Sequence, residues 1–319
     1  MIRIVRAFLF LMLLLFLGCS PDKAERLVMF HAGSLSYPLR EMVKEFGEEH
    51  PQISILSEAA GSVHTARKIT ELNRRADILA SADYQIINSL LIPEHASFNL
   101  LFASNSMVLA YHEQAAFSHE VNATNWHEVL VREGVRNGAS DPHADPCGYR
   151  TRLLLQLAEK YYDVHELSEK ILSGQNHYQR PKETDLLALL ETRTLDYIFI
   201  YESVAVQHGL AYVSLPDSIN LSNPVLNDWY GTVAVDIRGN RANQTVRIQG
   251  EAITYGITLP FEATNSHAAL LFLAWILTPE KGGEVLRRSG QQPVFPAVAY
   301  GYNDLPDRLK LLAVPVEKK

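Results

Sequence analysis

The chain has only two cysteines in 319 residues, Cys19 and Cys147. With one of them at the edge of a leader, no internal disulfide framework is available, and Cys/His spacing for a metal-cation centre is also missing. Positive charge is scarce. Lys and Arg number 29 against 36 Asp and Glu, a net charge of −7, and losing Met1–Gly18 with Arg3 and Arg6 makes the remainder more negative by two. That balance argues against a nucleic-acid surface, although a buried site can still hold an anion with local amides. A P-loop, a dinucleotide glycine pattern and Gly-x-Ser-x-Gly are absent, so no enzyme class has positive support. There is no internal repeat, no low-complexity linker and, beyond the N-terminus, no long apolar run.

What the N-terminus has is a leader. Arg3 and Arg6 precede the apolar run Ala7–Leu17, which is short of the about 20 residues that span a bilayer. This is the form of a secretory signal. Gly18-Cys19 follows at once, then Ser20-Pro21-Asp22-Lys23. A small residue before a cysteine just past the apolar core resembles a bacterial lipobox, so residues 1–18 are expected to be a signal peptide. Cys19 is the expected lipidation site, and 19–26 an anchor and linker. The plainer alternative is a signal peptide with an incidental cysteine.

With 47% hydrophobic and 20% charged residues, the chain can bury a sizeable core and is long enough for two lobes. Short β-branched or apolar runs alternate with longer helical patterns, which predicts an α/β fold with mainly parallel sheets flanked by helices. Strands are expected at Leu27–His31, Ile53–Leu56, Asp77–Ser81, Asp196–Tyr201 and Glu251–Leu259, with one ending at Gly138–Ser140. Apolar residues at Leu39, Met42, Val43 and Phe46 mark a helix that ends before His50-Pro51. Further helices are expected from Val63, over Tyr149–Tyr162, Thr184–Leu190 and Glu202–His208, and near His267–Leu277 and Lys281–Arg288. The extended stretch Leu100–Tyr111 crosses into a second lobe and Ala211–Leu215 crosses back. The lobes are then 27–107 with 214–319, and 108–213.

Small and polar residues fall where these strands meet their helices. Gly33-Ser34 follows the first strand and Ala60-Gly61-Ser62 the second. Asp145-Pro146-Cys147-Gly148-Tyr149 follows a second-lobe strand. Helix N-termini offer unpaired N–H groups and a positive dipole end, so they bind anions. In open α/β sheets, ligands sit beyond the carboxyl ends of strands. An oxyanion clamped between lobes would use all three turns. Equally, Ser34 and Ser62 can be ordinary N-caps and Asp145-Pro146 a cap with proline at the first helical position; pattern alone leaves both open.

Longer strings narrow the choice. Phe30-His31-Ala32-Gly33-Ser34-Leu35-Ser36, Ala59-Ala60-Gly61-Ser62-Val63 and Ala76-Asp77-Ile78-Leu79-Ala80-Ser81-Ala82-Asp83-Tyr84 come first. Asp145-Pro146-Cys147-Gly148-Tyr149-Arg150, Arg180-Pro181-Lys182-Glu183 and Asp196-Tyr197-Ile198-Phe199-Ile200-Tyr201 follow, then Leu221-Ser222-Asn223-Pro224. In this order they resemble the tungstate/molybdate-binding proteins of archaeal and bacterial ABC transporters, from about Leu27 to the C-terminus. The resemblance implies the two-lobed periplasmic-binding-protein fold (type II), with the ligand in the interlobe cleft and no catalysis or cofactor. It implies a lipid-anchored, extracytoplasmic monomer that delivers tungstate or molybdate to ABC permease subunits in the membrane. Contacts to the oxyanion would come from Gly33, Ser34, Ser62, the turn Asp145, Pro146 and Cys147, then Glu183 and Tyr201. Asp145 and Glu183 would approach the tungsten or molybdenum itself. The competing acid, Glu202, reads as a solvated first-turn residue, and Glu183 without the resemblance reads as a first-turn glutamate facing a helix dipole. Cys147 at a helix N-terminus invites a nucleophile reading, but no histidine can be paired with it. A receptor for another oxyanion such as sulfate, or a cell-surface hydrolase or sensor lobe, are the alternatives.

Overall fold

A computed structural model of the chain describes residues 25–239 and 244–316; Cys19 and the leader lie outside them. Two sheets, each flanked by helices, carry the fold. The larger has seven strands: β1 (Glu25–Ala32), β2 (Ile53–Ala60), β3 (Ile78–Ser81), β4 (Asn99–Ser104), then β12 (Thr254–Thr258), β13 (Gln292–Tyr300) and β14 (Ala313–Pro315), in the order β14-β13-β4-β12-β3-β1-β2. The smaller has five: β5 (Met107–Tyr111), β6 (Asn137–Ser140), β7 (His177–Arg180), β8 (Tyr197–Tyr201) and β9 (Ala211–Ser214), in the order β7-β6-β8-β5-β9. A separate antiparallel hairpin pairs β10 (Ala234–Arg238) with β11 (Thr245–Gln249).

Strand and helix positions follow the hydrophobic pattern closely. In the helix Ser36–Glu49, Leu39, Met42 and Phe46 are buried, the i, i+3, i+7 stripe of one helical face. The Phe46 ring meets Phe272 edge-on at 4.9 Å between centroids, joining that helix to Ser266–Ile276. The helix Pro146–Tyr162 starts with proline at its first turn, where the missing N–H costs nothing, and ends at Asp163 in the left-handed region.

The expectation of mainly parallel sheets needs correction, because both are mixed. In the large sheet β1 pairs parallel with β2 and β3, and β13 with β14, but β12 runs antiparallel to β3 and β4, and β13 to β4. In the small sheet β6 is parallel to β7 and β8, while β5 is antiparallel to β8 and β9. In the large sheet β4 runs with β1–β3, and the reversed strands β12, β13 and β14 all belong to the stretch that returns after the small sheet. Strand β4 ends in one sheet at Ser104 and β5 starts in the other at Met107, with no helix between to reverse the chain.

That passage is pinned by Asn105. Its Nδ2 donates to Ser203 Oγ at 2.7 Å and to the Tyr255 hydroxyl at 2.6 Å, and its Oδ1 accepts from Ser106 N at 3.0 Å. Gln291 Nε2 joins it, donating to Ser34 O at 3.3 Å and to Ser203 Oγ at 3.2 Å. Ser203 follows β8 in the small lobe, whereas Tyr255 and Ser34 belong to the large one. A buried network of this kind specifies one arrangement of the crossing more sharply than apolar contact does.

Candidate functional site

The parallel strands point their carboxyl ends at one place. In the large lobe these are Ala32, Ala60 and Ser81; in the small lobe, Ser140, Arg180 and Tyr201. Each is followed by a turn into a helix, so backbone donors and short side chains collect between the lobes.

The turns meet across the cleft at close range. A Cβ built on Gly61 would lie 2.2 Å from the carbonyl oxygen of Ala144 and 3.2 Å from Asp145 Cα. A Cβ on Gly33 would lie 3.2 Å from Glu183 Oε1. Thus Gly33 faces Glu183, and Gly61-Ser62 faces Asp145. The acids also meet each other, since Asp145 Oδ2 accepts from the Glu183 backbone N–H at 2.7 Å. Asp145 is 1% exposed, Glu183 1% and Tyr201 0%; Ser34, Ser62 and Cys147 are equally enclosed.

Capping does not explain the serines. Gly61, not Ser62, is the N-cap of the helix Ser62–Thr70, and the Ser62 hydroxyl accepts from Ala82 N at 2.9 Å, leaving its proton to donate. Ser34 sits inside a 3-10 turn, Gly33–Leu35, with no side-chain cap. Asp145 does cap: Oδ1 accepts from Cys147 N at 3.4 Å, with Pro146 behind it at the first helical position. Glu183 precedes its helix, whose N-cap is Thr184, so it is not a first-turn residue of that helix, and its Oε1 lies toward Gly33. Glu202 is not simply solvated: the Ser106 and Tyr212 hydroxyls donate to its carboxylate, which ties it within the small lobe.

The electrostatics are unusual. Burial, and then the Asp145 charge, push the Glu183 carboxyl well above its ordinary range. Burial raises Asp145 as well, against the hydrogen bonds it accepts. Two carboxylates this close and this dry resist double ionisation. The Cys147 thiol is pushed up by burial and by the charges of Glu183 and Asp145, the opposite of an activated nucleophile; its Sγ donates to Phe199 O at 3.6 Å.

Several buried polar atoms meet no partner at hydrogen-bond geometry. Around these turns they include Ser34 Oγ, Ser140 Oγ, the Tyr201 hydroxyl, both Glu183 oxygens and, on Arg150, Nε and Nη1; others, among them Thr70 Oγ1, His127 Nδ1 and Ser168 Oγ, belong to other parts of the chain. Each such atom left without any partner costs about 1–3 kcal/mol, so the group between these turns makes the cleft the candidate ligand site. Sequence reasoning missed Arg150 and Ser140. Arg150 had only its place in a matching string to signal it, and Ser140 its place at the end of a strand.

The bacterial extracellular solute-binding protein family matches residues 27–292. The chain belongs to that family. This solute-binding protein is 41% identical over 303 residues to an uncharacterized solute-binding protein of Petrotoga mobilis, covering 95% of this chain and 94% of that protein. It is 37% identical over 330 residues to the molybdate/tungstate-binding protein WtpA of Pyrococcus abyssi, covering 93% and 94%. Among solved structures, the periplasmic molybdate-binding protein of Azotobacter vinelandii matches with a TM-score of 0.61 at 14% identity, covering 83% of this chain and 98% of that one. The sulfate-binding protein SubI of Mycobacterium tuberculosis matches with a TM-score of 0.61 at 12% identity, covering 91% and 92%. These neighbours carry the two-lobed periplasmic-binding fold, and the family role is binding, not turnover. Among the described residues, no helix is long and apolar enough to cross a membrane, and no cluster of three or more His, Cys, Asp or Glu could hold a metal cation.

Proposed function

We propose that this solute-binding protein captures tungstate or molybdate outside the cytoplasm and hands it to the membrane subunits of an ABC transporter. The lobes would be 27–107 with 214–319, and 108–213, closing on the ion about the Asn105 hinge.

The observation that carries this reading is the mixture of unpartnered groups. Ser34 Oγ and the Tyr201 hydroxyl call for an acceptor, while the Glu183 oxygens call for a donor or a Lewis acid. Sulfate, which carries no proton at neutral pH, answers only the first, because its central atom stays four-coordinate and its charge repels the carboxylates. Mo(VI) and W(VI) are larger and accept further oxygen donors, so oxo groups take the hydroxyls while the metal takes Asp145 and Glu183. Both Asp145 oxygens already accept backbone N–H groups, which aims the carboxylate, and each oxygen keeps a second lone pair. The acids that reward the right ion penalise sulfate.

Ser62→Ala and Tyr201→Phe test the hydroxyl half of the site. A hydrogen bond to a charged group contributes roughly 1.5–3 kcal/mol, so each variant should bind tungstate about 10- to 100-fold more weakly in calorimetry. Wild-type affinity from both would remove them from the site. Titrating the wild type with molybdate, tungstate, sulfate and phosphate decides the ion, and tighter binding of sulfate would favour a sulfate receptor.

Anchoring is tested at Cys19. The proposed lipoprotein carries two or more acyl chains there, since one chain holds a protein only marginally. Cys19→Ser should leave the membrane fraction with tungstate binding intact; a variant still held in the membrane would contradict the lipid anchor.

A further inference from the structure

Arg150 is 2% exposed and lies on the helix that Asp145 caps. One end of its guanidinium is spent on the opposite lobe, with Nη2 2.9 Å from Asp83 Oδ2. The neighbouring Tyr149 hydroxyl donates to the same oxygen at 2.6 Å, and Asp83 Oδ1 caps the large-lobe helix Tyr84–Leu90 through Gln85 N at 2.8 Å. Small-lobe Arg150 and Tyr149 are therefore fastened to large-lobe Asp83 at the cleft. The other end, Nε and Nη1, meets no partner. It lies in the electrostatic reach of Tyr201 and Cys147, the residues beside Asp145 and Glu183. Burial works against the guanidinium charge, and Asp83 and its neighbours more than restore it, so the group stays ionised. Lys182 is the cation that acts directly on Glu183, but it is partly exposed and engages Asp185 at 3.5 Å, so solvent screens it.

We propose that Arg150 is a specificity-determining positioning residue: held by Asp83 across the cleft, its buried charge offsets the Asp145 and Glu183 carboxylates and makes closure favour a dianion over a monoanion. The inference rests on the oxyanion reading above. A dianion entering between two carboxylates needs a nearby fixed positive charge in a dry cleft, where charge interactions are strongest. Arg150 supplies it from a side chain that is correctly placed only when the lobes meet. A monoanion of the same shape gains half as much from it.

The test compares tungstate with perrhenate, a tetrahedral oxyanion carrying one charge instead of two. Wild type, Arg150→Met and Arg150→Lys are titrated with tungstate by calorimetry, and perrhenate affinity is read by displacement. Thermal unfolding checks each variant, and neutral, polar Arg150→Gln makes the same comparison if the Met variant fails to fold. Removing the charge should weaken tungstate about 10- to 100-fold and perrhenate about 3- to 10-fold, half as much in free energy, so that the affinity ratio falls about 3- to 10-fold. Arg150→Lys should keep most of the ratio. Equal losses for both ions, or a Lys variant as unselective as Met or Gln, would reduce Arg150 to a structural residue and overturn the proposal. Wild-type protein that binds tungstate while the neutral variants bind it unchanged overturns this inference alone. Wild-type protein that binds no oxyanion overturns the functional reading and this inference with it.

Discussion

In an Asp145→Ala, Glu183→Ala double variant, tungstate binding is expected to weaken about 10²- to 10⁴-fold, the combined effect of two lost charged partners at roughly 1.5–3 kcal/mol each. Sulfate affinity should move the other way. In the wild type, burial and mutual proximity make the two acids hard to ionise, so their oxygens become available only to a metal centre that accepts them; sulfate offers no such centre and is repelled once they are ionised, and without the acids that discrimination erodes. Asp145→Asn with Glu183→Gln is the sharper control, since shape is kept while charge is removed. X-ray absorption reads the same claim directly. Wild-type complex should show more than four oxygen neighbours around tungsten, two of them longer than the oxo bonds, and the double variant should return to four. A tetrahedral spectrum in the wild type would mean that the two acids only cap and brace the turns, and that selectivity comes from cavity size.

How far the sequence reveals this site depends on which signal each residue leaves. The turns after β1, β2 and β6 were legible because glycine, serine and an Asp-Pro pair interrupt strongly apolar strands. Tyr201 was legible as the end of the apolar run Tyr197–Tyr201. Strand β7 was not, because His177–Arg180 is a polar, half-exposed edge strand with no alternation to mark it. That omission hid the reason Glu183 reaches the cleft: it follows a strand end parallel to those of β6 and β8. Strand β13 carries Pro293 and Pro296 and pairs irregularly with β4, so it too lacks a clean period. Strand direction was beyond reach, because periodicity is the same in parallel and antiparallel pairs. Arg150 lies in a helix where a charge ordinarily faces water; its burial against Asp83 exists only once two lobes, distant in sequence, come together.

Gly61 shows the same limit and yields the other large effect. Its backbone is extended, at φ −60° and ψ 142°, so any residue could adopt it, and nothing local demands glycine. The demand comes from across the cleft, where a Cβ would stand 2.2 Å from the Ala144 carbonyl oxygen. Backbone cannot swing aside as a side chain can, so Gly61→Ala must part the two turns by roughly 1 Å before ordinary contact is restored. Each lobe folds unhindered, and the exchange even lowers unfolded-state entropy, a gain of about 0.4–1 kcal/mol. Binding should nevertheless fall about 100-fold or more, because the hydroxyls of one lobe and the carboxylates of the other no longer reach one ion together. Solution scattering should show the variant staying extended at tungstate concentrations that compact the wild type. Gly33→Ala gives the graded comparison: its Cβ meets only side-chain atoms of Glu183 and Thr184, the nearest at 3.2 Å, which can yield by a few tenths of an ångström, so its loss should be smaller. Wild-type affinity and compaction in Gly61→Ala would show that the lobes grip the ion without bringing these two turns together.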